Sequence, residues 1–595
     1  MLTKTEYART PNESKASYGA SCKKVMEYKS TNVMCQNCKG SFTIEPDDFG
    51  FYEKIKVPPP TWCPPCRRMR RFTHTSETVL YKRKCDLTGK DIFSMYTPDA
   101  PFPVYETDEW YSDKWDPYDY GMDFDENKPF LQQMLELQSK VPRMSLVRQG
   151  MAVNSPYAHR VTNPKNSYMT FRASYPEDCL YIYNAIRTKD CSDCNWIFDS
   201  ELCYECVNVE NCYNVRFSQE SKDCQDSSFL YACRNSADCA LCVNLVNGKY
   251  CIWNKQYTKE EYFKKLTELK LNTFSDIKKL EKEFIEFRKK FPVKAVAGVK
   301  SEKVSGNWLS NCKNVLQSFD CVGVKDGKHL FMVFDAEDCM DFYEWGNKAE
   351  QIYEAVNCGI NIARLYFCNQ CWMGASDLYY CNTCPGARNC FGCVGLKKGE
   401  YSILNKKYSK EKYGILKEKI IKQMKEMPFM DKRGFKYYFG ENFPEMFSDF
   451  AYNETIANYH FPLSREEALS RGYAWKDNQK KNYKPTIEPK DLPETIAEVN
   501  DSILNEVIEC EDKNNLESVG AFIITKNELN FYRRMDLPLP RASFNIRHLR
   551  RMKKRPMLQL IDRQCNKCAT KVETIYDKNY APIIYCEKCY QQEVY

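Results

Sequence analysis

The sequence predicts a multidomain, mainly β protein: two zinc-ribbon-like modules at the chain ends, copies of one another, flank two cysteine-rich parallel β-solenoid-like blocks, each followed by a capping helix. Three observations predict this. Cys-x2-Cys knuckles sit near both termini, the ends match each other without gaps at an offset of 480 residues, and two cysteine-rich blocks in the middle match at an offset of 151. The expected units are an N-terminal tail (1–34), module copy 1 (35–128), a connector (129–165), solenoid block 1 (166–257) and a helical segment (258–292). Block 2 (293–408), a helix (409–427), a connector with short helices (428–515) and module copy 2 (516–595) complete the chain.

A chain of 595 residues with 43% hydrophobic content is long enough for several cores. It carries 32 Cys but only 5 His, so its chemistry has to run on sulfur or carboxylate. Residues Met1 to Lys24 scatter Lys4, Arg9, Glu13 and Lys15 through polar sequence without the apolar centre of a secretory leader. No stretch approaches 18 uninterrupted apolar residues, so no membrane partner and a cytoplasmic location are expected. In a reducing compartment thiols stay free or bind metal. The net charge of +7 is small for this length and leaves nucleic-acid contact to local patches.

The end-to-end match carries Phe42, Phe51, Tyr52, Pro58, Arg67, Arg71, Cys85 and Tyr105 onto Phe522, Phe531, Tyr532, Pro538, Arg547, Arg551, Cys565 and Tyr585. The two copies keep complementary cysteines. Copy 1 has Cys35, Cys38, Cys63 and Cys66, where the offset gives Asn515, Ser518, Ser543 and Ile546. Copy 2 has Cys565, Cys568, Cys586 and Cys589, against Cys85, Thr88, Glu106 and Glu109. Two Cys-x2-Cys knuckles put four soft thiolates in tetrahedral reach of one Zn²⁺, a closed structural site without an open coordination position. Two structural zinc ions are therefore predicted. Cys85 with Glu106 and Glu109 makes a poor zinc cage and reads as a degenerate, metal-free half.

In block 1, Cys191, Cys212 and Cys233 recur every 21 residues, which predicts a solenoid coil of about 20 residues. Short runs such as Leu180–Tyr183 and Phe331–Phe334 read as its strands. A Cys-x2-Cys pair can point inward only if a corner falls between its members. Six pairs invite three readings: Cys191/Cys194, Cys203/Cys206, Cys239/Cys242, Cys368/Cys371, Cys381/Cys384 and Cys390/Cys393. Stacked free thiols acting as small core residues lead, ahead of further zinc or iron–sulfur sites and of disulfides. Thr258 with Glu261 forms a capping box opening a helix, and Ile277, Leu280, Phe284, Phe287 and Phe291 give an apolar stripe. Tyr413, Leu416, Ile420, Met424 and Met427 give a matching stripe after block 2, and Ser464 with Glu467 caps a short helix in the connector.

Both modules are locally basic: Arg67, Arg68, Arg70 and Arg71 in one, Arg547, Arg550, Arg551, Lys553 and Lys554 in the other. Set among aromatic residues, these side chains are candidates for gripping phosphates and stacking on bases. The alternative is that they balance the charge of a zinc ion held by four thiolates. The acidic run from Glu106 to Glu126 is a candidate to dock on the basic cluster. No nucleotide loop, G-x-S-x-G, H-E-x-x-H or kinase signature occurs, and the five isolated histidines read as structural, so no catalytic residue is assigned.

Three segments carry a family likeness: FYEKIKVPPPTWCPPCRRMRR from Phe51, CVNLVNGKYCIWNKQYTKEEY from Cys242, and YCEKCY from Tyr585. They resemble a family of cysteine-rich zinc-ribbon proteins of candidate phyla radiation bacteria. The resemblance spans nearly the whole chain and implies zinc modules without an attached activity. Ser543 and Ile546 replace the family's CPxC cysteines, which implies loss of one zinc site in copy 2. The functional expectation is a zinc-binding, non-enzymatic binding or scaffold protein, with RNA, DNA or a ribonucleoprotein as candidate partner. A redox enzyme using the central cysteines and a self-assembling structural protein are the alternatives.

Overall fold

The computed structural model describes residues 28–594, apart from 345, 347–348, 351–352, 358, 360–363, 365, 368, 371, 373 and 478–482. Cys358, Cys368 and Cys371 lie outside the described residues, as do residues 1–27 of the expected N-terminal tail.

The centre of the chain is a β-solenoid whose coil has twelve residues, since Tyr183 pairs in parallel with Asn195 and Asn195 with Val207. The coil of about 20 residues expected from cysteine spacing is corrected. The spacing of 21 is one full coil from Cys191 to Cys203 plus three-quarters of the next, from Cys203 to Cys212. Nor do the strands alternate with a period of two. Each coil is four triplets, and each triplet has one inward residue, one outward residue and one residue in the left-handed region. Asp193, Trp196, Asp199, Leu202, Glu205 and Asn208 all have φ between 49° and 56°. Each such turn carries a steric cost that asparagine and aspartate tolerate best, and those residues recur here. Their side chains also form ladders along the solenoid, as where Asn154 Nδ2 donates to Asn166 Oδ1 and Asn166 Nδ2 to Asp178 Oδ1, at 3.1 and 3.0 Å.

A corner every third residue turns i and i+3 to the same side, so both members of a Cys-x2-Cys pair face inward. The interior is one buried cluster of Ala, Val, Ile and Cys residues, including Cys191, Cys194, Cys203, Cys206, Cys212 and Cys224. Inward cysteines and serines also donate to the carbonyl two residues before them, which already accepts a backbone N–H from the next coil, as Ser192 O does from Glu205 N at 3.3 Å. Cys194 Sγ donates to Ser192 O at 3.3 Å and Cys206 Sγ to Tyr204 O at 3.4 Å, while Ser200 Oγ does the same for Phe198 O at 2.7 Å. Cysteine is thus a small, nearly apolar residue that still supplies a weak donor. The second solenoid repeats the scheme with Leu309, Cys312, Val315, Cys321, Val324 and Leu330. Its first coil is one residue short, and the register shift falls at Gly306, where φ is +126° and a Cβ would lie 1.7 Å from Ser318 O.

Each solenoid closes alike. Lys249–Ile252 and Glu400–Ile403 turn back through two left-handed residues, Trp253–Asn254 and Leu404–Asn405, into short antiparallel strands. Helices follow at Lys259–Glu268 and Phe274–Arg288 after the first, and Lys410–Glu426 after the second. The capping boxes at Thr258 and Ser464 are present as expected. Ile277, Leu280 and Phe284 are buried, with Phe287 and Phe291 partly so, and Phe284 packs on Phe229 and Trp253.

The modules flank the solenoids and share one element order. Copy 1 runs hairpin (Thr31–Met34, Ser41–Ile44), helices Pro46–Lys54 and Pro64–Phe72, hairpin (Tyr81–Lys84, Asp91–Ser94), strand Val104–Tyr105 and helix Thr107–Tyr111. Copy 2 repeats it from Ile508–Glu509 to Glu587–Val594. Outward aromatic residues of the solenoids form the second layer of core against them: Tyr181 stacks on Phe544, and Phe331 meets Phe72.

Candidate metal centres

In copy 1, Cys35 and Cys38 lie in the turn of the first hairpin, which closes where Cys35 N donates to Gly40 O at 2.9 Å and Lys39 takes a φ of 60°. Cys63 is the N-cap of helix Pro64–Phe72, and Cys66 sits in its first turn. All four Sγ atoms lie within 4.8 Å of one another, and Cys38 Sγ and Cys63 Sγ are 3.7 Å apart. Zn–S bonds of about 2.3 Å in a tetrahedron put sulfurs about 3.8 Å apart, so the donor set fits zinc. Cys63 N and Asn37 Nδ2 donate to Cys35 Sγ and Cys66 Sγ at 3.2 and 3.3 Å, an outer shell that suits thiolates. Hydrogen bonds from Cys63 and Cys66 pull the Cys35 thiol well below its usual range, and the bond to Cys35 pushes Cys63 up to about 12. Four such sulfurs hold charge together only around a cation.

In copy 2, Cys565 and Cys568 occupy the turn between Ile561–Gln564 and Lys571–Thr574, and Cys586 and Cys589 frame the start of helix Glu587–Val594. These Sγ atoms also lie within 4.8 Å of one another, with Cys568 and Cys586 3.7 Å apart. Cys568 is exposed and Cys586 half-buried, whereas Cys38 is the one exposed ligand of the first site. Among the described residues these are the two groups whose geometry suits a metal.

The complementary halves hold no such group. Glu106 accepts from Asp108 N at 2.7 Å as a helix cap, Glu109 pairs with Lys114 at 2.6 Å, and Cys85 Sγ accepts from Glu106 N. In copy 2 the counterpart of Cys35 is Cys510, not Asn515. Cys510 N donates to Gly520 O as Cys35 N does to Gly40 O, and Ser543 N donates to Cys510 Sγ as Cys63 N does to Cys35 Sγ. A longer turn, with ten positions from Cys510 to Gly520 against five from Cys35 to Gly40, breaks the ungapped match and hid this residue. Ile546 fills the place of Cys66 and packs with Cys510 and Ala542 in a small apolar core.

The basic clusters are not exposed. Arg67 and Arg71 pair with Asp341 at 2.6 and 3.1 Å, and Arg70 pairs with Glu354 at 2.9 Å, all with side chains at most 2% accessible. Arg68 donates to Leu558 O and Gln317 O. Arg547 and Arg551 share Asp193 at 3.0 and 2.8 Å, Arg551 and Lys554 reach Glu205, and Arg550 binds Glu511 and Asp512. Lys553 alone of the candidates is exposed. The nucleic-acid grip assigned to Arg67, Arg68, Arg70, Arg71, Arg547 and Arg551 is corrected, because buried guanidinium groups committed to carboxylates and carbonyls do not meet a phosphate backbone. Nor do they neutralise the thiolates: Arg67, Arg70, Arg71, Arg547 and Arg551 pair chiefly with solenoid carboxylates, and Arg68 with carbonyls. Burial pushes the Asp341 carboxyl up, but Arg67 and Arg71 outweigh it and hold it below the usual carboxylate range. The acidic run docks elsewhere than expected: Asp123 and Glu126 pair with Lys406 and Lys419 beyond the second solenoid.

No family model and no curated protein matches the chain. Among solved structures, one from Desulfovibrio desulfuricans G20, named by inference an acetyltransferase, is similar at 10% identity with a TM-score of 0.10. The match covers 41% of this chain and 65% of that one. No helix among the described residues is long and apolar enough to cross a membrane.

Proposed function

We propose that this protein is a non-enzymatic scaffold held by two structural zinc ions, one in each terminal module. The observation that carries the reading is the pair of four-cysteine clusters, each with sulfurs at tetrahedral zinc spacing. Four thiolates complete zinc's coordination and leave no position for substrate, which favours a folding role over a catalytic one. Against the redox alternative, the central thiols fill the solenoid interior and donate to backbone carbonyls. Against a nucleic-acid partner, most of the candidate arginines are committed inside the molecule. The closing hairpins and helices cover one end of each solenoid, removing the strand edge that end-to-end assembly would use there.

Native mass spectrometry of the full chain is expected to find two zinc ions. Cys63→Ser and Cys586→Ser are each expected to remove one, and the double variant both. Metal-free native protein, or a double variant still carrying two ions, would sink the reading.

A further inference from the structure

Each module has two halves, and one half of each keeps a four-cysteine site. Both halves that keep their four cysteines abut the second solenoid. The helix that begins at Cys63 delivers Arg67 and Arg71 to Asp341, and the helix before it places Asp48 against Lys328 at 2.7 Å. In copy 2, the strand Ile584–Tyr585, which runs straight into Cys586, pairs in parallel with Val293–Lys294 at the second solenoid's entrance. Glu587, inside that knuckle, pairs with Lys294 at 2.6 Å.

The same two contacts are made on the first solenoid by the halves that lost their cysteines. The helix that begins at Ser543 delivers Arg547 and Arg551 to Asp193, and Val104–Tyr105 pairs in parallel with Arg143–Met144 at the first entrance. The molecule thus contains its own control: the same docking with and without a metal site. On the flank of the first solenoid, a small core around Cys510 and Ile546 stands where the metal would be.

From this asymmetry we infer that metal occupancy governs the second solenoid and not the flank and entrance of the first. The inference rests on the zinc reading above. Losing the metal unfolds the knuckle that sets the start of helix Pro64–Phe72 and withdraws two arginines from Asp341, a fully buried carboxylate that tolerates no such loss. It also frees the strand beside Cys586 from the second entrance. Nothing equivalent holds up Asp193 or the first entrance.

Hydrogen exchange followed by mass spectrometry on the full-length protein tests this, before and after chelation, with metal counted on the same samples. Exchange is expected to quicken by about tenfold or more in strands Glu302–Ser310, Lys313–Val322 and Ala336–Met340. Strands Tyr183–Ile186, Asn195–Phe198 and Val207–Glu210 are expected to change little. Equal loss in both sets, or loss only in the first, overturns the inference while leaving the zinc count intact. Absence of zinc before chelation overturns both. Asp341→Asn provides an arm that leaves the ligands untouched: two ions retained, with protection lost in the second set. Unchanged protection in that variant also counts against the inference.

Discussion

At the residue scale, the central cysteines matter for their volume and one hydrogen-bond donor. Cys212 Sγ lies 3.3 Å from Glu210 O, and Ser221, three triplets on, makes the same contact to Gln219 O at 2.9 Å. Serine and cysteine are therefore near-equivalent at inward positions, and Cys212→Ser is expected to change stability by no more than about 1 kcal/mol in urea titration. Cys194→Leu, which adds bulk to an interior without spare room, is expected to cost about 1–3 kcal/mol. A serine variant as damaging as the leucine one would mean the thiols do something beyond packing. The cysteine pairs were visible in the sequence and so was the need for a corner between their members. Their twelve-residue coil was not, because serine, valine and isoleucine share the inward column and the spacing of sulfurs alone does not carry the repeat.

At the scale of elements, the two arginine helices show how docking fixes what a local pattern leaves open. Pro64–Phe72 and Phe544–Lys553 look like basic surface helices when read along the chain, and the residues that bury them, Asp341 and Asp193, lie far away in sequence. Asp193 accepts two guanidinium groups with no accessible surface of its own. Asp193→Asn removes that charge and leaves two buried guanidinium groups with one carboxylate each, Arg547 with Glu528 and Arg551 with Glu205. It is expected to destabilise the protein by about 3–5 kcal/mol in denaturant titration, and a loss under about 1 kcal/mol would show that the pairs contribute little. Capping boxes at Thr258 and Ser464 were legible because a cap is settled within four residues. The partner of a buried arginine is not.

At the scale of the whole molecule, each module ties one solenoid's entrance to the other solenoid's flank. Copy 1 pairs its strand Val104–Tyr105 with Arg143–Met144 while its arginines reach Asp341, and copy 2 mirrors this with Val293–Lys294 and Asp193. The seam between solenoids is polar and buried: Arg172 binds Glu77 and Glu344, and Arg160 binds Glu344. Histidines are caught in the same packing. Burial pushes His74, His159 and His548 down to about 3, so they stay neutral when folded and titrate near 6.5 when unfolded. The unfolded chain then binds more protons between those values, and stability falls as pH drops below about 6.5. Denaturant midpoints are expected to decline between pH 6.5 and 5, before most carboxylates titrate, and His159→Gln is expected to flatten that decline. A midpoint unchanged across this range would mean that these rings take up protons in the folded state.

The sequence by itself determined the mainly β class, the two copies of the module and the eight cysteines of the metal clusters, because thiolate spacing in a short knuckle is a local constraint. Tertiary structure alone decided the length of the coil, the survival of Cys510 in a lengthened turn, and the burial of the arginines. Each of these depends on which distant residues meet. A carboxylate one solenoid away turns a basic surface into a core, and no spacing along the chain records that meeting.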